Sequence, residues 1–114
     1  MKMLALVPIL LLTQVSYFDM QGTIVNVLSP TSLQIDSETV NLVGVDPSGI
    51  TPGQCLYLIG DLKDWLIGKD VFVKGGYVYF DLVGSYNSVS INEMIQKEIQ
   101  DLRDDLAYIL EKNL

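Results

Sequence analysis

Five short segments rich in β-branched residues, a helical segment between the third and fourth, and a long amphipathic C-terminal helix predict an α+β domain. The expected architecture is a five-stranded OB-type barrel with one helix between strands 3 and 4 and a long C-terminal helix. The length of 114 residues fits one such domain and leaves no room for two. An apolar share of 49% supplies a core and argues against disorder. Closing five short strands into a barrel hides edges that a flat sheet would expose.

Residues 1–16 stand apart from that domain. Lys2 gives a positive start, and residues 4–12 are apolar, broken only by Pro8. The run is shorter than the roughly 20 residues of a membrane span. It matches a secretory signal in length and position, so the segment reads as signal-like or membrane-anchoring. Residues 3–15 are the candidate membrane contact, and the expected location is extracytoplasmic: secreted or membrane-anchored. The alternative is a buried N-terminal segment of the domain itself.

Residues 22–28 (GTIVNVL) alternate and are β-branched, which predicts the first strand. Ser29-Pro30-Thr31 turns the chain, and residues 32–35 (SLQI) alternate again. Asp36-Ser37 is a second turn before a third strand at 39–45 (TVNLVGV). Two Pro and two Gly in residues 46–53 make a loop. A helix is expected at 54–67, with Leu56, Ile59, Leu62 and Leu66 at helical spacing and Gly68 as its stop. Cys55 lies one step off that stripe and reads as a core residue. Strands at 70–74 (DVFVK) and 77–83 (YVYFDLV) flank a Gly75-Gly76 hairpin turn. Ser90 and Glu93 form a capping box. Behind it Ile95, Ile99, Leu102, Leu106 and Ile109 make an apolar stripe of about two heptads, opposite an acidic face with Asp101, Asp104 and Asp105. The stripe either packs on the barrel or forms a dimer seam.

Composition removes several functions. There are 14 Asp+Glu against 7 Lys+Arg, a net charge of −7, which disfavours nucleic acid as partner. The absence of His removes His-based acid–base catalysis, Ser-His and Cys-His pairs, and His metal ligands. A single Cys permits neither an intrachain disulfide nor a Cys-based zinc site.

Three stretches carry a resemblance. Val40-Asn41-Leu42-Val43-Gly44-Val45-Asp46-Pro47 is similar to the V-R-L-x-G-V-D-T-P strand and loop of the staphylococcal-nuclease-like (thermonuclease) family. Leu66-Ile67-Gly68-Lys69-Asp70-Val71-Phe72-Val73 is similar to its L-x-G-K-x-V-x-V, and Ile91-Asn92-Glu93-Met94-Ile95 to its V-N-E-x-L helix opening. The resemblance spans about residues 22–99 and implies an SNase-like OB barrel over 17–90, followed by an amphipathic helix over 91–114. In that family acidic residues hold calcium, a Glu sits near the attacking water, and two Arg bind the scissile phosphate. Cation and guanidinium offset the charge that builds on the phosphoryl oxygens.

Most of that set is missing. The family's first acid lies in a turn that here reads Ser29-Pro30-Thr31-Ser32, and its first Arg falls on Asn41. The metal-binding Asp is present as Asp46, but the Glu position falls on Gly49. The second Arg falls on Ser85 of Asp81-Leu82-Val83-Gly84-Ser85, or is deleted in a register with the shorter hairpin; the single Arg, Arg103, lies far along the last helix. Asp46 alone cannot hold calcium, which takes about 6–8 oxygens.

The resemblance with these losses implies a pseudo-nuclease: a catalytically inactive binding or interaction module. Its expected partner is a protein, or a second copy, met through Ile99, Leu102, Leu106 and Ile109. Two alternatives remain. One is a divergent calcium-dependent nuclease or phosphodiesterase using Asp46 and Asp81, each of which also reads as an ordinary loop or strand residue. The other is single-stranded nucleic-acid binding on Tyr77 and Tyr79, which share one strand face. No cofactor is expected beyond calcium in the nuclease alternative.

Overall fold

The computed structural model describes residues 18–82 and 89–112. Over these the chain runs β1 (Met20–Ser29), β2 (Ser32–Ile35), β3 (Glu38–Asn41), α1 (Pro52–Leu66), β4 (Asp70–Lys74), β5 (Tyr77–Phe80) and α2 (Ile91–Lys112). The expected apolar segment at 1–16 and the Ser85 position lie outside the described residues.

All five strands join one antiparallel sheet in the order β3-β2-β1-β4-β5. β1 is the hub because it is long enough to pair twice. Met20 to Thr23 pair with β4, and Ile24 to Ser29 pair with β2. Register breaks between Ile24 and Asn26, and again between Val27 and Ser29, bend the strand between its two partners. The outer strands β3 and β5 share no ladder.

Period-two alternation puts Val71, Val73 and Val78 inward, where they join Ile24, Val27, Leu33 and Ile35. Leu58, Leu62 and Leu66 of α1 and Ile91, Ile95 and Ile99 of α2 complete the same core. The α1 face differs from the expected stripe: Leu56 is 73% exposed, and Leu58 takes its place. Leu58, Leu62 and Leu66 repeat every fourth residue, so their ridge fits the sheet; Leu56 lies about 200° from Leu58 around the helix and faces away. Cys55 is half-buried rather than a core residue.

Local chemistry sets the helix ends. Thr51 caps α1: its Oγ1 accepts the Gln54 N–H at 3.0 Å, and Gln54 Oε1 accepts the Thr51 N–H at 2.9 Å. Pro52 at the first helical position has no N–H to satisfy. Ser90 Oγ accepts the Glu93 N–H at 3.1 Å and opens α2.

β3 ends earlier than expected, at Asn41. Leu42 still donates to Thr31 O at 2.8 Å, but Val43 donates across to Gly76 O at 3.1 Å, and Gly44 then turns at φ +78°. The chain thus leaves one edge of the sheet and touches the hairpin at the other.

Candidate functional site

The region that the resemblance points to lies where the exit of β3, the β4–β5 turn and α2 meet. Gly75 and Gly76 hold φ of +58° and +80°, the twin left-handed pair of a tight hairpin. A Cβ on Gly76 would stand 2.5 Å from Val43 Cγ2, so only glycine lets the two segments touch. Asn92, 2% exposed, joins them. Its Oδ1 accepts the Val78 N–H at 3.0 Å, and its Nδ2 donates to Val43 O at 2.8 Å and to Gly76 O at 2.9 Å. One amide therefore replaces the ladder that β3 and β5 lack.

Beside this junction lies an open cleft of about 500 Å³. Gly44 and Val43 form one side, Tyr77 another, and Glu93, Gln96 and Lys97 of α2 a third. Lys97 is turned toward Asp101, 3.2 Å away along its own helix.

Asp46 leads the next loop. Its Oδ1 accepts the Ser48 N–H at 3.0 Å, closing an Asx turn, and its own N–H donates to Gln96 Oε1 at 2.7 Å. Arg103 reaches in from α2. Its Nε donates to Ser48 O at 2.6 Å, its Nη2 to Asp46 O at 2.8 Å, and its Nη1 to Gln100 Oε1 at 3.1 Å. Nη2 also lies 3.7 Å from Asp46 Oδ2. The Ser48 backbone N–H, with help from its hydroxyl and from Arg103, holds the Asp46 carboxyl below its ordinary value of 3.8. A Cβ at Gly49 would sit 3.1 Å from Arg103 Nε, so the guanidinium occupies the space a side chain there would need. The sole arginine and Asp46 thus form a structural clamp on loop 46–49.

Asp81 is elsewhere. It pairs with Asp70 at the far end of β5 from Tyr77, roughly 13 Å away at the rise of a strand. Its Oδ2 accepts a hydrogen bond from Gln21 Nε2 at 3.3 Å. Asp81 lines a cleft with Trp65, Asp70 and Phe80, and Asp46 is not among the described residues of that cleft. Among the described residues no group of three or more metal-ligating side chains comes together.

Tyr77 and Tyr79 do share the outer face, flanking the buried Val78. Tyr79 stands opposite Phe72, which stacks on Phe18 with ring centroids 4.6 Å apart. Along α2 the stripe changes character. Ile95 and Ile99 are fully buried, Leu102 packs against the core, Leu106 is half-buried and Ile109 is 52% exposed.

The sequence reading gave Asn92 no role beyond its place in the helix-opening motif, and it missed the Arg103 clamp. The capping box at 90–93 marks a helix start, but nothing in the pattern aims a buried amide at two strands. Comparison with protein-family models, curated proteins and solved structures gives no match.

Proposed function

We propose that this chain is a pseudo-nuclease: a staphylococcal-nuclease-like OB barrel that keeps the scaffold, lacks the phosphodiesterase site, and acts as a binding module for a protein partner. The strand order β3-β2-β1-β4-β5 with α1 between β3 and β4 supports the OB topology. So does the approach of the two outer strands at Val43 and Gly76. The observation that carries the functional half is the Asp46–Arg103 clamp. The acid at the family's metal position and the chain's single guanidinium are engaged with the Ser48 N–H and with loop carbonyls. Losing even one donor to a transition state costs about 10²–10³ in rate.

The partner surface in this reading is the distal part of α2, where the apolar stripe continues through Leu106 and Ile109 past the protein's own core. The apolar run at 4–12 supports export or membrane tethering. Among the described residues no helix is long and apolar enough to cross a membrane.

The test is to incubate the full chain with single- and double-stranded DNA and RNA, with calcium and with chelator. The expected result is no cleavage above a protein-free control. Calcium-dependent cleavage abolished in Asp46→Ala would sink the reading, because it would mean that Asp46 leaves its clamp to hold metal.

A further inference from the structure

We propose that the distal half of α2 binds a second copy of this chain, each laying that segment antiparallel on the other. The proposal rests on the reading of distal α2 as the partner surface and names the partner.

One face of α2 changes its role along the helix. Ile95 and Ile99 are fully buried, and Leu102 packs against the core. Further along, the same face carries Leu106, half-buried, and Ile109, 52% exposed. Leu110 borders them and is 57% exposed. Steps of four, three, four and three residues keep Ile95, Ile99, Leu102, Leu106 and Ile109 in line, which is the spacing of a seam between two helices.

The charges beside the seam select its occupant. Asp105 and Lys112 stand two turns apart on one border of the stripe, and both are exposed. Within the single chain Lys112 Nζ lies over the Tyr108 ring, 5.5 Å from its centroid. Two such helices laid antiparallel set Leu106 of each against Ile109 of the other. Asp105 of each copy then faces Lys112 of the other, so two-fold symmetry forms the opposite-charge pair twice. Laid parallel, Asp105 would face Leu110 and neither pair would form. The net charge of −7 points the same way. An antiparallel overlap of about ten residues holds the two acidic bodies at opposite ends of roughly 15 Å of helix, about two screening lengths at physiological salt. A nucleic acid or an anionic membrane would instead meet Asp101, Asp104 and Asp105 on this helix and be repelled.

Sedimentation equilibrium of the full chain at physiological salt tests this. The average mass should rise with concentration from 12.7 kDa toward twice that value and stop there. Two short helices bury less than the roughly 1,600 Å² of a standard interface, so the midpoint should lie at about 0.1 mM. Asp105→Lys and Lys112→Asp each turn two attractive pairs into repulsive ones, and each should raise the dissociation constant about tenfold. The double variant exchanges the charges and should restore the original value. A mass that stays at 12.7 kDa up to about 1 mM overturns the proposal. It leaves the pseudo-nuclease reading in place, with a different protein as the partner. Association that neither single variant weakens also overturns it, because the contact would then lie elsewhere, as on the apolar run at 4–12. So does a double variant as weak as the singles, because the helices would then not lie antiparallel.

Discussion

Asn92 satisfies three backbone groups with one amide, and its position explains why an asparagine is needed there. Val78 N–H needs an acceptor, while Val43 O and Gly76 O need donors. Only a side-chain amide carries both within one planar group. Asn92→Ala should leave these groups unpaired and cost about 3 kcal/mol, since each buried polar group left without a partner costs roughly 1–3 kcal/mol. Asn92→Asp keeps the acceptor for Val78 but turns a carboxylate toward two carbonyls, so it should cost at least as much. Urea denaturation of both variants measures this. A loss below about 1 kcal/mol in Asn92→Ala would mean that water takes over the amide's role. This residue also shows the limit of pattern reading. Asn92 stands in a legible helix start, yet its role depends on two strand edges that meet only in the folded chain.

The helices differ in how much their sequences disclose. In α2 the spacing of Ile95, Ile99 and Leu102 has one apolar face, and that face is the buried one. In α1 apolar residues crowd two faces, and the spacing of Leu56, Ile59, Leu62 and Leu66 is as helical as that of Leu58, Leu62 and Leu66. The sheet selects the second set, which no count of apolar residues could foresee. The α1 start carries a signal that the expected start at residue 54 passed over: Thr51-Pro52-Gly53-Gln54 spells a capping box with proline at its first turn. Burial along α2 predicts a gradient of mutational cost. Ile99→Ala should cost about 3 kcal/mol, in the usual range for emptying a core aliphatic position. Ile109→Ala should change stability by less than about 0.5 kcal/mol. Leu106→Asp should likewise leave the fold intact. If the distal helix is the partner surface, that variant should also abolish any concentration-dependent mass seen by sedimentation of the full chain. Equal losses for Ile99→Ala and Ile109→Ala would mean that the helix packs along its whole length.

At the scale of the whole molecule the decisive quantity is charge. Fourteen acids against seven bases give −7, while the ion pairs among the described residues include Lys97–Asp101 and Arg103–Asp46. Lys97 and Asp101 are mostly exposed, and such pairs contribute little. Net repulsion therefore opposes the compact state at neutral pH, and lowering the pH toward 5 should relieve it. Asp46 works the other way. Its folded carboxyl titrates below 3.8 because Ser48 and Arg103 favour the charged form. Its contribution is thus fully present above the unfolded value and is lost as pH falls through the lower folded value. The two effects occupy different windows. The urea midpoint of the full chain should hold or rise between about pH 7 and pH 5, and then fall once the pH drops below 3.8. In Asp46→Asn the upper window should be unchanged and the acid fall shallower, because the asparagine still accepts the Ser48 N–H but has no proton to gain. A midpoint that already drops between pH 7 and pH 5 would mean that an acid other than Asp46 carries the fold's acid sensitivity. It would also mean that the clamp on loop 46–49 does not govern the acid response of the fold.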